Sequence, residues 1–161
     1  MKKTSVFILC LVATMFCFAQ TKISIIPEPI SVKELKEKEF KLSSTTKIAV
    51  NTNSAEMQSV KFLKDKLEYA FGKKICVTEL SELKDDANAI LFVKVSDKVL
   101  GNEGYNLKVT EKNIVIQANE NAGFFYAIQT LLQLIDPMFV GNHEVVAMCC
   151  TKIPACEIVD R

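Results

Sequence analysis

The sequence predicts an α+β fold, a two-layer sandwich of a mixed β-sheet with two long helices. Three observations carry this. Residues from Asn53 to Phe71 hold apolar side chains at three- and four-residue spacing, and Ala122–Ile135 is a second, more apolar helix. Between and around them lie short runs of strand character, at Ala89–Val93, Tyr105–Val109 and Ile114–Ile116. The four prolines sit near the two ends of the chain, at Pro27, Pro29, Pro137 and Pro154, so the middle is uninterrupted secondary structure.

Residues 1–19 read as a secretory signal. Lys2 and Lys3 form the basic start, Val6–Phe18 the apolar run, and Cys17-Phe18-Ala19 places small residues at the −3 and −1 positions before Gln20. The apolar run is shorter than the ~20 residues of a membrane-spanning helix. An exported chain, periplasmic or extracellular, is therefore expected. Removal of Lys2 and Lys3 from the 20 basic residues leaves them nearly balanced against 19 acidic ones. That balance gives no electrostatic footprint for nucleic acid or an anionic membrane surface.

Ile25-Ile26-Pro27-Glu28-Pro29 is an extended entry segment, because each proline pushes the residue before it away from helical geometry. Phe40–Leu42 and Lys47–Val50 are expected to form a short strand pair. The first helix starts near Asn53, with Glu56 completing a capping box. Its stripe of Met57, Val60, Leu63, Leu67 and Phe71 leaves Lys61, Lys64, Asp65 and Glu68 in water. Gly72 is the expected stop, free to take the left-handed conformation. Ile75–Val77 begins the next strand, parallel to the one before the helix if the two share a sheet.

Ala89–Val93 is a continuous apolar run, as for a central strand covered on both faces. Tyr105, Leu107 and Val109 alternate with Asn106 and Lys108, and Ile114 and Ile116 follow the Glu111-Lys112-Asn113 turn, so this is a hairpin with one face inward. The second helix keeps only a narrow polar seam at Gln129, Thr130 and Gln133 and must be covered on most sides, ending at Asp136-Pro137. Val145–Thr151 reads as a last strand and residues 153–161 as an exit linker.

The stretch Asn102–Ile135, hairpin into apolar helix, resembles the N-terminal domain of bacterial β-N-acetylhexosaminidases, glycoside hydrolase family 20. Ile26-Pro27-Glu28-Pro29 and Ile153-Pro154-Ala155-Cys156-Glu157-Ile158-Val159-Asp160-Arg161 extend the resemblance over nearly all of residues 20–161. It implies a domain at 20–152 and a linker at 153–161 leading toward a catalytic (β/α)8 barrel that this chain does not contain. The barrel would be the partner, and a glycan substrate would be reached only through it. No metal or organic cofactor is implied. Such enzymes pair an adjacent Asp and Glu, the Glu as general acid and the Asp orienting the substrate's own N-acetyl group. This chain has no Asp-Glu dipeptide, no His-x-Gly-Gly run and no tryptophan. Arg161 precedes the sugar-binding arginine of the family and is not equivalent to it.

No catalytic, cofactor-binding or metal-binding residue is therefore expected here. Asp85-Asp86 reads as a solvated turn with a lesser cation-binding alternative. Glu34, Glu37 and Glu39 alternate with lysines as an exposed face, and a serine hydrolase is excluded by the lack of a G-x-S-x-G elbow. Cys149 and Cys150 point to opposite faces of a strand, so a zinc set of His143, Cys149, Cys150 and Cys156 is disfavoured. A disulfide from Cys149 or Cys150 to Cys156 remains open, Cys76 standing apart. Tyr69, Tyr105 and Tyr126 are expected to pack in the core or on helix faces. A free-standing exported binding domain is the alternative function, distinguished from a domain that has lost its barrel by a polar outer surface instead of an apolar patch.

Overall fold

The computed structural model of the protein describes residues 23–51, 57–84, 88–135, 137 and 150–161. The elements are β1 (Ser31–Glu34), β2 (Phe40–Ser43), β3 (Lys47–Val50), α1 (Met57–Phe71), β4 (Val77–Glu79), β5 (Ala89–Lys94), β6 (Tyr105–Val109), β7 (Asn113–Ala118), α2 (Asn121–Leu134), β8 (Cys150–Ile153) and β9 (Cys156–Asp160). Seven strands form one mixed sheet in the order β1-β9-β6-β7-β5-β3-β4, and β2 and β8 make a separate two-stranded ribbon. The α+β sandwich expected from the sequence is present.

The inner face of the sheet is built by register. One row runs Ile48, Ile90, Ile114, Val109 and Cys156, and the next Val50, Phe92, Ile116, Leu107 and Ile158. All ten side chains are buried. Because strand side chains alternate, the residues between them fall on the outer face. There Leu91, Val93 and Val115 are half-buried and Lys108 is exposed. Central strand β5 is thus fully covered on one face only, contrary to the expectation from its unbroken apolar run.

Both helices join the core from the same layer. α1 buries Val60, Leu63, Leu67 and Phe71, as its periodicity requires. Gly72 takes φ +61° immediately beyond it. Lys64 pairs with Glu68 at 2.9 Å on its flank. Glu68 also accepts the Ile75 N–H at 2.9 Å, fixing the turn into β4. α2 buries Phe124, Ala127, Ile128 and Leu131. Its Phe124 ring lies 5.7 Å from Phe92 of β5. Ser59 of α1, itself buried, donates to Asn121 Oδ1 at 2.8 Å, tying the two helices. The capping residues Asn53 and Glu56 lie outside the described residues.

Three connections differ from the sequence reading. β2 and β3 do not pair with each other. β3 lies in the main sheet, parallel to β4 and β5, so the expected parallel partner of β4 is correct. β2 instead pairs with β8, Phe40 opposite Ile153 and Leu42 opposite Thr151. Phe40, Leu42 and Ile153 are fully buried, which is why this ribbon is held so far from its sequence neighbours. The last strand begins within the expected Val145–Thr151 segment but runs on to Ile153, and residues 145–149 lie outside the described residues. Residues 153–161 are not a linker. β9 inserts between β1 and β6, with Cys156 and Ile158 in the core, because its alternating pattern completes the inner face.

The loop before β6 meets the start of α2 at two glycines. A Cβ on Gly123 would collide with the Gly104 carbonyl oxygen and come within 2.9 Å of the Ala118 Cβ. Gly123→Ala should therefore destabilise the fold by about 1–3 kcal/mol, as overpacked cores do. Urea unfolding measures it; an unchanged midpoint would mean that this approach is not tight.

Candidate functional site

The most distinctive surface is the side of the helix layer that faces away from the sheet. On α1, Phe62, Lys66 and Tyr69 share one face, since residues four and seven apart stack along a helix. On α2, the outward stripe carries Ala122, Phe125, Tyr126, Gln129 and Gln133. The Phe62 and Phe125 rings lie 5.6 Å apart and tilted by 50°. Phe125 meets Tyr126 edge-on at 6.0 Å. The Lys66 ammonium sits 5.9 Å over the Phe62 ring, a cation–π contact at the rim.

Phe125 is 41% exposed, Tyr126 45% and Tyr69 54%. Large apolar rings clustered in this way mark a surface made to be covered. The expectation that α2 is covered on most sides thus holds for its sheet-facing side alone. Tyr69 and Tyr126 are not packed away as expected, whereas Tyr105 is: it is buried, and its hydroxyl meets Thr130 Oγ1 at 2.6 Å. Periodicity marks both sides of α2 as apolar, but it does not tell which side the sheet takes.

A polar cavity of about 490 Å³ opens beyond the end of β5, bordered by Lys94, Ser96, Asp97, Lys98, Asn119 and Glu120. Its groups are occupied in holding the loop. Asn119 accepts the Asp97 N–H at 2.8 Å and donates to the carbonyls of Asp97 and Gly101. Asp97 in turn accepts the Val99 N–H at 2.8 Å. Lys94 pairs with Glu120 at 3.7 Å. Asn119 and Asp97 thus act as a loop scaffold.

Perturbed titrations follow from packing in the same way. Burial, reinforced by the Glu34 carboxylate, pushes the Cys156 thiol up to about 12. Burial raises the Tyr105 phenol, against the opposing bond from Thr130. The hydrogen bond from Lys64, then that from the Ile75 N–H, lowers Glu68. Each group lies in the fold rather than in a shared cleft. Among the described residues, no three His, Cys, Asp or Glu side chains come together as a metal set. Cys156 is a buried free thiol in a different sheet from Cys150, so the Cys150–Cys156 disulfide is absent, and Cys76 is an exposed free thiol. His143, Cys149 and Asp85-Asp86 lie outside the described residues. No helix among the described residues is long and apolar enough to cross a membrane.

A family model described as glycosyl hydrolase family 20, domain 2, matches residues 22–161. A β-hexosaminidase of Porphyromonas gingivalis is 29% identical over 165 residues, covering 96% of this chain and 20% of its own length. Among solved structures, the Streptomyces plicatus N-acetyl-β-hexosaminidase superposes with a TM-score of 0.71 at 26% identity, covering 84% of this chain and 26% of that one. The Streptomyces coelicolor family 20 β-N-acetylhexosaminidase gives 0.69, again at 26% identity and with the same coverage. The chain thus spans about a fifth of the curated relative and about a quarter of these solved ones.

Thiol chemistry tests the packing at β9. Only the thiolate is an effective nucleophile, and Cys156 stays protonated until the pH approaches about 12. Iodoacetamide at pH 8 should alkylate native Cys156 more than roughly tenfold more slowly than Cys76, and at an ordinary rate only after unfolding. Peptide mass spectrometry reads both sites. Equal native rates would contradict the buried position of Cys156.

Proposed function

The chain belongs to the glycosyl hydrolase family 20, domain 2, family, and on that premise we propose that it serves as the non-catalytic domain of an exported β-N-acetylhexosaminidase, docking its helix face on a catalytic barrel. The enzyme as a whole would remove terminal N-acetylhexosamine residues from glycans. The observation that carries this reading is the Phe62–Phe125–Tyr126 cluster, an aromatic surface in which Phe125 and Tyr126 stay exposed. Domain 2 of this family normally sits beside a barrel, and the relatives are four to five times longer than the matched segment.

Hydrolysis of the glycosidic bond needs a proton donor at the leaving oxygen and a group that steadies the developing positive charge. Several carboxylates are engaged in surface pairs: Glu39 with Lys152, Glu111 with Lys38, Glu68 with Lys64 and Glu120 with Lys94. No Asp-Glu pair occurs in the sequence. The domain's contribution is therefore mechanical: a rigid sheet behind, two helices in front, and rings that bury apolar area against the partner at about 25 cal/mol per Å². The basic start and apolar run of residues 1–19 support export.

The exposure of Tyr69 and Tyr126 favours a second reading, a free-standing exported domain that binds sugars or another protein. Against sugar stacking, the Phe62, Phe125 and Tyr126 rings are tilted and edge-on to one another and so offer no flat platform for a pyranose face.

Two measurements on the purified 20–161 chain follow. It should show no hydrolysis of a chromogenic N-acetylglucosaminide above a mock preparation; activity that copurifies with it would place catalysis in these residues and overturn the proposal. It should also bind a hydrophobic dye. Replacing both Phe125 and Tyr126 by Ser should remove roughly half or more of that signal while changing stability by no more than ~1 kcal/mol. A parent chain that binds no dye contradicts the docking face.

A further inference from the structure

A second apolar surface lies where the chain enters and leaves the sheet. Ile26 is 80% exposed, Ile30 57% and Val32 38%, whereas Ile25 between them and the core is buried. The segment Ile23–Ile26, with Glu28, Pro29 and Val32, borders a groove of about 370 Å³. Among the described residues, Glu28 is its one charged lining side chain.

The wall of this groove is fastened by a side chain that imitates a neighbouring strand. Gln133 Oε1 accepts the Ile26 N–H at 2.9 Å, and Gln133 Nε2 donates to the Ile26 carbonyl at 3.0 Å. Gln133 follows Tyr126 by seven residues and so lies two turns along the same stripe of α2. The clamp therefore sets exposed Ile26 at the end of the aromatic face. Ile25, turned inward, anchors the same segment to the core.

Strand register brings the end of the chain to the same place. Val159 is opposite Ser31 of β1, and Asp160 is opposite Tyr105 of β6. Continued by two residues, this antiparallel register carries Arg161 toward Pro29, which borders the groove. Most of the polypeptide of the longer relatives lies outside the segment this chain matches.

We propose that in the longer protein the residues immediately following Arg161 lie in the Ile23–Val32 groove, and that Gln133 is a positioning residue that holds Ile26 as its wall. This rests on the reading of the chain as part of a hexosaminidase with a following barrel. The occupant carries apolar side chains to cover Ile26, Ile30 and Val32, with a basic group to meet Glu28. The two docking surfaces, aromatic face and groove, then form one band joined at Gln133. The domain is held to its partner both through space and through the chain that connects them.

Hydrogen–deuterium exchange compares the full-length protein with the chain ending at Arg161, reading residues 23–32 and 121–134 separately. The proposal expects residues 26–32 to exchange at least about tenfold more slowly in the full-length protein. Gln133→Ala should return that protection to the level of the 161-residue chain while residues 121–129 stay protected. Ile30→Glu, which leaves the clamp intact, should release the same segment and serves if Gln133→Ala fails to fold. If residues 121–129 slow but 26–32 do not, the groove proposal is overturned and barrel docking stands. If neither slows, both fall. Unchanged protection of 26–32 in Gln133→Ala and in Ile30→Glu also overturns the proposal.

Discussion

Burial of one sheet face under two helices is the constraint on which everything else in this molecule depends. The two inner rows, Ile48 to Cys156 and Val50 to Ile158, need cover along their length. α2 supplies it over β6 and β7, with Thr130 bonded to Tyr105 and Phe124 set against Phe92 of β5. α1 completes the layer beside α2. A helix that gives one side to a sheet has its other side left over. In α1 that side carries Lys61, Lys64, Asp65 and Lys66 around Phe62 and Tyr69. In α2, Phe125 and Tyr126 are what remain when the sheet has taken Phe124, Ile128 and Leu131.

The contrast between the helices carries the functional argument. A polar outer stripe satisfies water, whereas an aromatic one lowers its free energy by finding a partner. The sheet's own outer face does not compete for that partner to the same degree, because Lys108, Gln117 and Asn106 interrupt its apolar residues. The exposed aromatic surface is thus one-sided.

Local patterns were the legible part. The stripe on α1, the positive-φ glycine at position 72 and the Tyr105–Ile116 hairpin follow from short-range spacing and from the conformational freedom of one residue. Pairings between distant, short strands were not. Four-residue β2 finds β8 more than a hundred positions away, and no local feature of Phe40–Ser43 names that partner. β9 looked like a linker because Pro154, Glu157, Asp160 and Arg161 give it a polar and broken character, yet Cys156 and Ile158 supply the two inward positions that the sheet requires. The candidate site was legible by halves. An apolar α2 announces burial on two sides, but only the fold reveals that Phe62 of α1 joins Phe125 and Tyr126 on the open one. Gln133, read as part of a polar seam, turned out to bind the Ile26 backbone.

The central claim is that this helix face belongs against a barrel encoded by the same message. The nucleotide sequence of the transcript beyond the Arg161 codon tests it most directly. The account predicts an open frame that continues for several hundred codons and includes an adjacent Asp-Glu pair; an immediate, reproducible stop would contradict it and leave a free-standing domain whose aromatic face serves a different partner.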